Sequence, residues 1–97
     1  MLDILRTYKI VDAKQVGDDS NAKQRIGCTV EFLYPPLVGF QMVLHYLKDS
    51  DGNEMVEKYM RSTPIESYVT NKDGTVTITT KNTAYTFKEV FGKQSHE

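Results

Sequence analysis

Asp49-Ser50-Asp51-Gly52-Asn53-Glu54 is the stretch of this 97-residue chain whose residue types most suggest chemistry. Carboxylates spaced around a glycine are what a calcium loop is made of, but an EF-hand puts its glycine sixth and a bidentate glutamate twelfth. Counted from Asp49, Gly52 is fourth and the twelfth residue is Met60, so the stretch reads as an acidic hairpin turn. His45 and His96 are the two histidines, and His96 falls in a C-terminal tail. A zinc site at His45 needs Cys28 and carboxylates brought from other strands. The same Cys28–His45 couple is the minimum for a thiolate nucleophile. Cys28 sits among apolar neighbours, where a thiol ordinarily serves the core. Neither a phosphate-binding glycine loop nor a nucleophile elbow is present in the sequence. The expectation is of no catalytic residue, no metal and no cofactor.

Binding residues are easier to nominate. Tyr34-Pro35-Pro36-Leu37, running on to Val38, reads as a stiff, partly apolar loop suited to a protein partner. Asp49, Asp51, Glu54 and Glu57 concentrate charge that would steer a basic partner. Arg6, Tyr8 and Lys9 form one tyrosine–cation cluster and Lys58, Tyr59 and Arg61 a second. Small barrels bind single-stranded nucleic acid with such clusters, aromatics stacking on bases while cations track phosphates. The plainer reading of each tyrosine is a strand residue with a packed ring and a wet hydroxyl.

Charge does little to choose between these readings. The net charge is −1, and residues 26–60 hold five acidic side chains against two basic ones, a local balance of −3. No basic face announces a nucleic-acid footprint. One cysteine forms no internal disulfide, no apolar run approaches the roughly 20 residues that span a bilayer, and Asp3, Arg6 and Lys9 break any signal-peptide apolar region. A cytoplasmic protein without a membrane partner is expected.

Positioning falls to strands. Two-residue alternation and turn residues suggest seven: Ile4–Val16, Ile26–Tyr34, Val38–Lys48, Met55–Met60, Pro64–Thr70, Thr75–Lys81 and Thr83–Phe91. Between them lie the loop Gly17–Ala22, the prolines 35 and 36, and the turns Asp49–Asn53, Asn71–Gly74 and Lys81–Asn82. In the third strand, even positions 38 to 46 form the inward face. Residues 54–60 admit a short helix as the alternative to a strand, and residues 1–9 a helical turn. The fold class is mainly β, a single antiparallel meander forming a barrel or two-layer sandwich over residues 1–91, with 92–97 a tail. Its edge strands leave room for a homo-oligomer.

From Tyr59-Met-Arg-Ser-Thr-Pro-Ile-Glu-Ser-Tyr68 to Thr79-Thr-Lys-Asn-Thr-Ala-Tyr-Thr-Phe87, the chain resembles small β-rich proteins of phages and integrative elements of Gram-positive bacteria. In those, an Arg-Ser/Thr-Ser/Thr segment leads through a variable hairpin to a Thr-x-Asn-Ser/Thr-x-Tyr-x-Phe ending. The resemblance spans about thirty residues, departs from the commoner serine at Thr83, and implies an origin rather than an activity. Physically, Arg61-Ser62-Thr63 reads as a strand-to-strand corner whose hydroxyls serve spare backbone groups, and Asn82 as a positive-φ turn residue bonded by Thr80 and Thr83. The function expected is a non-enzymatic protein-interaction module, inhibition of a host protein being one form of it. A single-stranded nucleic-acid binder and a self-associating structural piece are the alternatives.

Overall fold

A computed structural model of the chain describes residues 6–18 and 21–90. Its elements are β1 (Thr7–Gln15), a 3-10 turn (Ala22–Arg25), β2 (Thr29–Phe32), β3 (Gln41–Lys48), β4 (Glu54–Thr70), β5 (Val76–Thr80) and β6 (Thr83–Glu89). Each strand runs antiparallel to the next, and β6 returns to pair with β1, closing a six-stranded barrel. The sandwich alternative is set aside.

Six strands replace the seven expected because the fourth and fifth are one. β4 is 17 residues long and passes through Pro64 without stopping. Its first part, to Pro64, pairs with β3, and from Ile65 to Thr70 it pairs with β5. Proline fits at this changeover, since its missing N–H falls where the ladder passes from one neighbour to the other. Residues 54–60 are strand, so the helical alternative fails there. Among the described residues a helical turn lies instead at Ala22–Arg25, where the sequence pattern indicates loop and linker. From Thr7 onward the N-terminal segment is strand; the expected residues 1–5, Phe91 and the tail 92–97 lie outside the described residues.

Alternation built the core. Val30 and Phe32 of β2, Met42 and Leu44 of β3, Ile65 of β4, Val76, Ile78 and Thr80 of β5, and Thr83, Tyr85 and Phe87 of β6 all point inward and are buried. On β1, Tyr8 and Ile10 face in, then a bulge between Ile10 and Asp12 turns Val11 outward and brings Ala13 into the core. Phe32 is the aromatic hub: it meets Tyr8 edge-on at 5.5 Å and Phe87 at 5.1 Å, so one ring joins β1, β2 and β6. Outside, Thr77 bonds Thr86 across β5 and β6, as a polar outer stripe should.

Turn chemistry agrees with the residues. Gly52 and Gly74 take positive φ, and the carboxylates of Asp49 and Asp73 accept the N–H groups that the turns expose. The hydroxyl assignments at the corner hold, for Ser62 Oγ accepts Met42 N–H at 2.9 Å and Thr63 Oγ1 accepts Lys81 N–H at 3.1 Å; at the turn, Thr80 Oγ1 serves both backbone groups of Thr83, while Asn82 O accepts the N–H groups of Val16 and Gly17 instead. Asn82, however, is not a positive-φ residue; among the described residues Glu57, at φ 55°, is the non-glycine that takes that conformation.

Truncating the hub should be costly. Phe32→Ala is expected to lower the free energy of unfolding by about 3–5 kcal/mol, the usual loss for a buried phenylalanine. Phe40→Ala, on the surface, should stay within about 0.5 kcal/mol of the parent. Denaturant titration of both variants checks this, and equal losses would place Phe40 in the core.

Candidate functional site

The third expected strand starts three residues late, and that delay creates the most distinctive surface of the molecule. Residues 33–40 form a connection between β2 and β3 that is held at both ends. Leu33 N–H donates to Val43 O at 3.2 Å, Phe40 N–H to Leu37 O at 3.1 Å, and Ile65 exchanges bonds of 2.9 Å with Gly39 and Phe40. Gly39, at φ 94°, makes the reversal that few other residues adopt. The loop is therefore braced against β4.

Bracing leaves its apolar side chains outside. Tyr34 is 50% exposed, Leu37 52%, Val38 57% and Phe40 66%. Placing Val38 and Phe40 in the core was an error of period: the strand begins at Gln41, so alternation holds for Met42 and Leu44 but does not reach back past Gly39. Glycine inside a run with a strand pattern was the available signal. Pro36, expected as an exposed contact, is buried and props the loop from beneath, while Pro35 stays exposed. Tyr34, Pro35, Leu37 and Phe40 line a shallow groove of about 500 Å³ with Pro64 on its far wall. A second dip, of about 220 Å³, follows beside Leu37, Val38 and Tyr68.

The acidic nominees gather elsewhere, across the length of β3 from this loop, roughly 25 Å at about 3.3 Å per residue. Asp49 is occupied in its own turn, where the N–H groups of Asn53 and Asp51 hold its carboxyl below the usual range. Asp51, Glu54 and Glu57 are exposed at the hairpin. Glu57 sits in the irregularity between the pairs Tyr46–Lys58 and Lys48–Glu54, where β4 carries two residues more than β3. Loop and hairpin are thus two surfaces rather than one.

Both tyrosine–cation clusters are changed by the fold. Tyr8, at 3% exposure, is a core residue, because its position on β1 points into the barrel while Lys9 points out. Arg6 is paired with Glu89. In the second cluster Tyr59 is exposed and stacks on His45, with ring centroids 4.7 Å apart, and His45 Nδ1 lies 2.8 Å from Glu31 Oε2. Register explains the row: Glu31, His45 and Tyr59 stand directly across β2, β3 and β4. A carboxylate beside the ring disfavours a phosphate there. Lys58 and Arg61 are exposed on the same strand.

Cys28 and His45 do not form a couple, since His45 faces Glu31 on the barrel's outside and Cys28 is buried. Burial first, then the charge of Asp49, pushes the Cys28 thiol up, with Arg25 partly opposing them. Among the described residues no group of three or more His, Cys, Asp or Glu is placed to hold a metal. No helix of the described residues is long and apolar enough to cross a membrane.

Compared with protein-family models, curated proteins and solved structures, the chain matches none. Its class rests on geometry alone, a closed antiparallel barrel carrying a braced apolar loop.

Tyr46, packed against the core on β3, sets a pH limit on the fold. Burial pushes its phenol up from 10.0 to about 12, and Arg25, which bonds its oxygen, opposes the shift. A raised acid is favoured neutral in the folded state, so its contribution is complete below pH 10 and is lost as pH rises from 10 towards 12. Tyr46→Phe should flatten this alkaline loss of stability in denaturant titrations at stepped pH. An unchanged slope would place the dependence on another group.

Proposed function

We propose that this barrel is a non-enzymatic interaction module that binds another protein through the loop of residues 33–40. The observation that carries the proposal is the contiguous exposure of Leu33, Tyr34, Leu37, Val38 and Phe40 on a backbone already fixed by hydrogen bonds. Scattered exposed apolar residues are ordinary, whereas a contiguous patch marks a contact surface. An ordered loop also lowers the entropy lost on binding, so more of the contact energy appears as affinity. Tyr34 and Phe40 are of the aromatic type that anchors interfaces, and the groove between them and Pro64 suits an apolar side chain from the partner.

The acidic hairpin has a secondary part in this reading. Asp51, Glu54 and Glu57 lie too far from the loop to share one small epitope, and serve to steer a basic partner at long range. The resemblance carried by Tyr59–Tyr68 and Thr79–Phe87 supports a phage or integrative-element origin and no particular activity; a bacterial protein as the partner, with its inhibition as one form of the interaction, and a cytoplasmic setting belong to the same proposal. The nucleic-acid reading loses its first cluster with the burial of Tyr8. Self-association through edges is narrowed to one stretch, β4 from Glu54 to Arg61, since β1 pairs with both β2 and β6.

Leu37→Ser with Phe40→Ser should leave the melting temperature within a few degrees of the parent and weaken capture of the partner at least tenfold. The measurement is recovery of a stoichiometric protein from nuclease-treated Gram-positive lysate by the tagged chain. Equal recovery by the parent and the double variant would move the contact off this loop.

A further inference from the structure

β4 lacks a second neighbour over nearly half its length. From Glu54 to Arg61 its only strand partner among the described residues is β3, and β5 joins it from Ile65 onward. Val56 in this stretch is 75% exposed and Tyr59 55%, and Glu54, Glu57, Lys58 and Arg61 are exposed as well. We infer that this edge pairs with the same edge of a second copy of the chain, antiparallel and about a two-fold axis at Tyr59. The edge is separate from the loop of residues 33–40, and its pairing does not depend on that surface.

Symmetry restricts the registers. Residues directly opposed in an antiparallel pair share one face of the sheet, while neighbours along a strand alternate. The axis of a symmetric pair therefore passes through a single residue, which faces its own copy, and residues equally far on either side of it meet. An axis at a charged residue sets that charge against itself. One at Met55 or Met60 brings no opposite charges together within the stretch. Two positions set acid against base: Val56, which opposes Glu54 to Lys58, and Tyr59, which opposes Glu57 to Arg61.

Local geometry selects Tyr59. Lys58, Tyr59, Met60 and Arg61 oppose Tyr46, His45, Leu44 and Val43 in unbroken succession, so β4 is regular there. Val56 lies inside the irregularity between the pairs Lys48–Glu54 and Tyr46–Lys58, next to the positive φ of Glu57. About Tyr59, each Lys58 meets the other copy's Met60, and Glu57 and Arg61 meet at both ends of the contact. The two Tyr59 rings come together at the axis, each backed by its own His45 with ring centroids 4.7 Å apart. The same pattern opens the edge to its own copy and closes it to other strands. Acid lies towards the hairpin and base towards the corner, an order that an antiparallel copy complements, and the bulge at Glu57 ends the regular run.

The test is sedimentation equilibrium of the full chain at rising concentration. A monomer–dimer equilibrium is expected, weak because the contact is short. Glu57→Arg alone, or Arg61→Glu alone, puts like charges together at both ends of the contact and should weaken the dimer by about tenfold or more. Mixed in equal amounts, the two variants should form a heterodimer within about threefold of the parent's affinity, since each then meets its opposite charge. A variant that had merely lost its fold would not be rescued by mixing. A chain that stays monomeric up to about 1 mM overturns the inference. So does a dimer that neither reversal weakens, or a mixture that remains monomeric. If Glu54→Lys and Lys58→Glu show this behaviour instead, the axis lies at Val56 and the Tyr59 register is overturned.

Discussion

One strand has two neighbours, and the rest of the barrel follows from that. β4 belongs to β3 over its first part and to β5 over its last, so it must turn away from one ladder before it has fully joined the other. Backbone groups at such a corner lose their usual partners, and buried ones left unpaired would each cost about 1–3 kcal/mol. Ser62 and Thr63 supply the substitutes: one hydroxyl takes the Met42 N–H, the other the Lys81 N–H. These two bonds reach to opposite neighbours, towards β3 and towards the β5–β6 turn. Pro64 and then Ile65 complete the change, and Ile65 also receives the returning β2–β3 loop through its bonds to Gly39 and Phe40. Closure of the barrel, bracing of the loop and the polar pocket at the corner are three results of one bend.

The bend also divides the molecule chemically. On one side of the corner, the loop carries apolar groups that the core has no room for. Phe32, Phe87 and Tyr8 already fill the centre with edge-to-face contacts, and interiors at crystal-like density do not admit further rings. Val38 and Phe40 are left outside as the result of a full core. The other side of the corner gathers Arg25, Arg61 and the amide of Asn82 around hydroxyls committed to structure.

How far this was legible depends on the range of the interactions involved. Period-two alternation identified the inward residues from Val76 to Phe87 and on β2, because a strand with one wet face must place every second residue in the core. Turn chemistry at Gly52 and Gly74 was local, and so was the role of the motif hydroxyls. What failed required knowledge of a neighbour. Tyr8 looked like a stacking residue beside two cations, and only pairing of β1 with β2 and β6 shows which way it points. Fusion of two strands across Pro64 was hidden for the same reason, since a proline stops a strand unless the ladder changes sides there. Val38 and Phe40 were misplaced by extending a correct pattern through Gly39. The apolar loop itself was visible from Tyr34 to Leu37, while its widest exposed residue was not.

Near its hairpin end, β4 shows what the barrel does with a strand that outlasts its second partner. From Glu54 to Arg61 it pairs with β3 alone. A long, flat strand with one open side is a template for adventitious pairing. Here Glu57 takes φ 55° in a bulge that adds two residues, which bends the strand, and Glu54, Glu57 and Lys58 place charges along it. Positive φ costs a glutamate something that glycine would avoid. A glycine would relieve that strain but remove a charge from the open side, so the choice of residue favours protection of the edge over local comfort. The acidic hairpin therefore has a structural reason to be acidic before any partner is considered, which leaves the loop of residues 33–40 as the surface whose exposure the fold itself does not need.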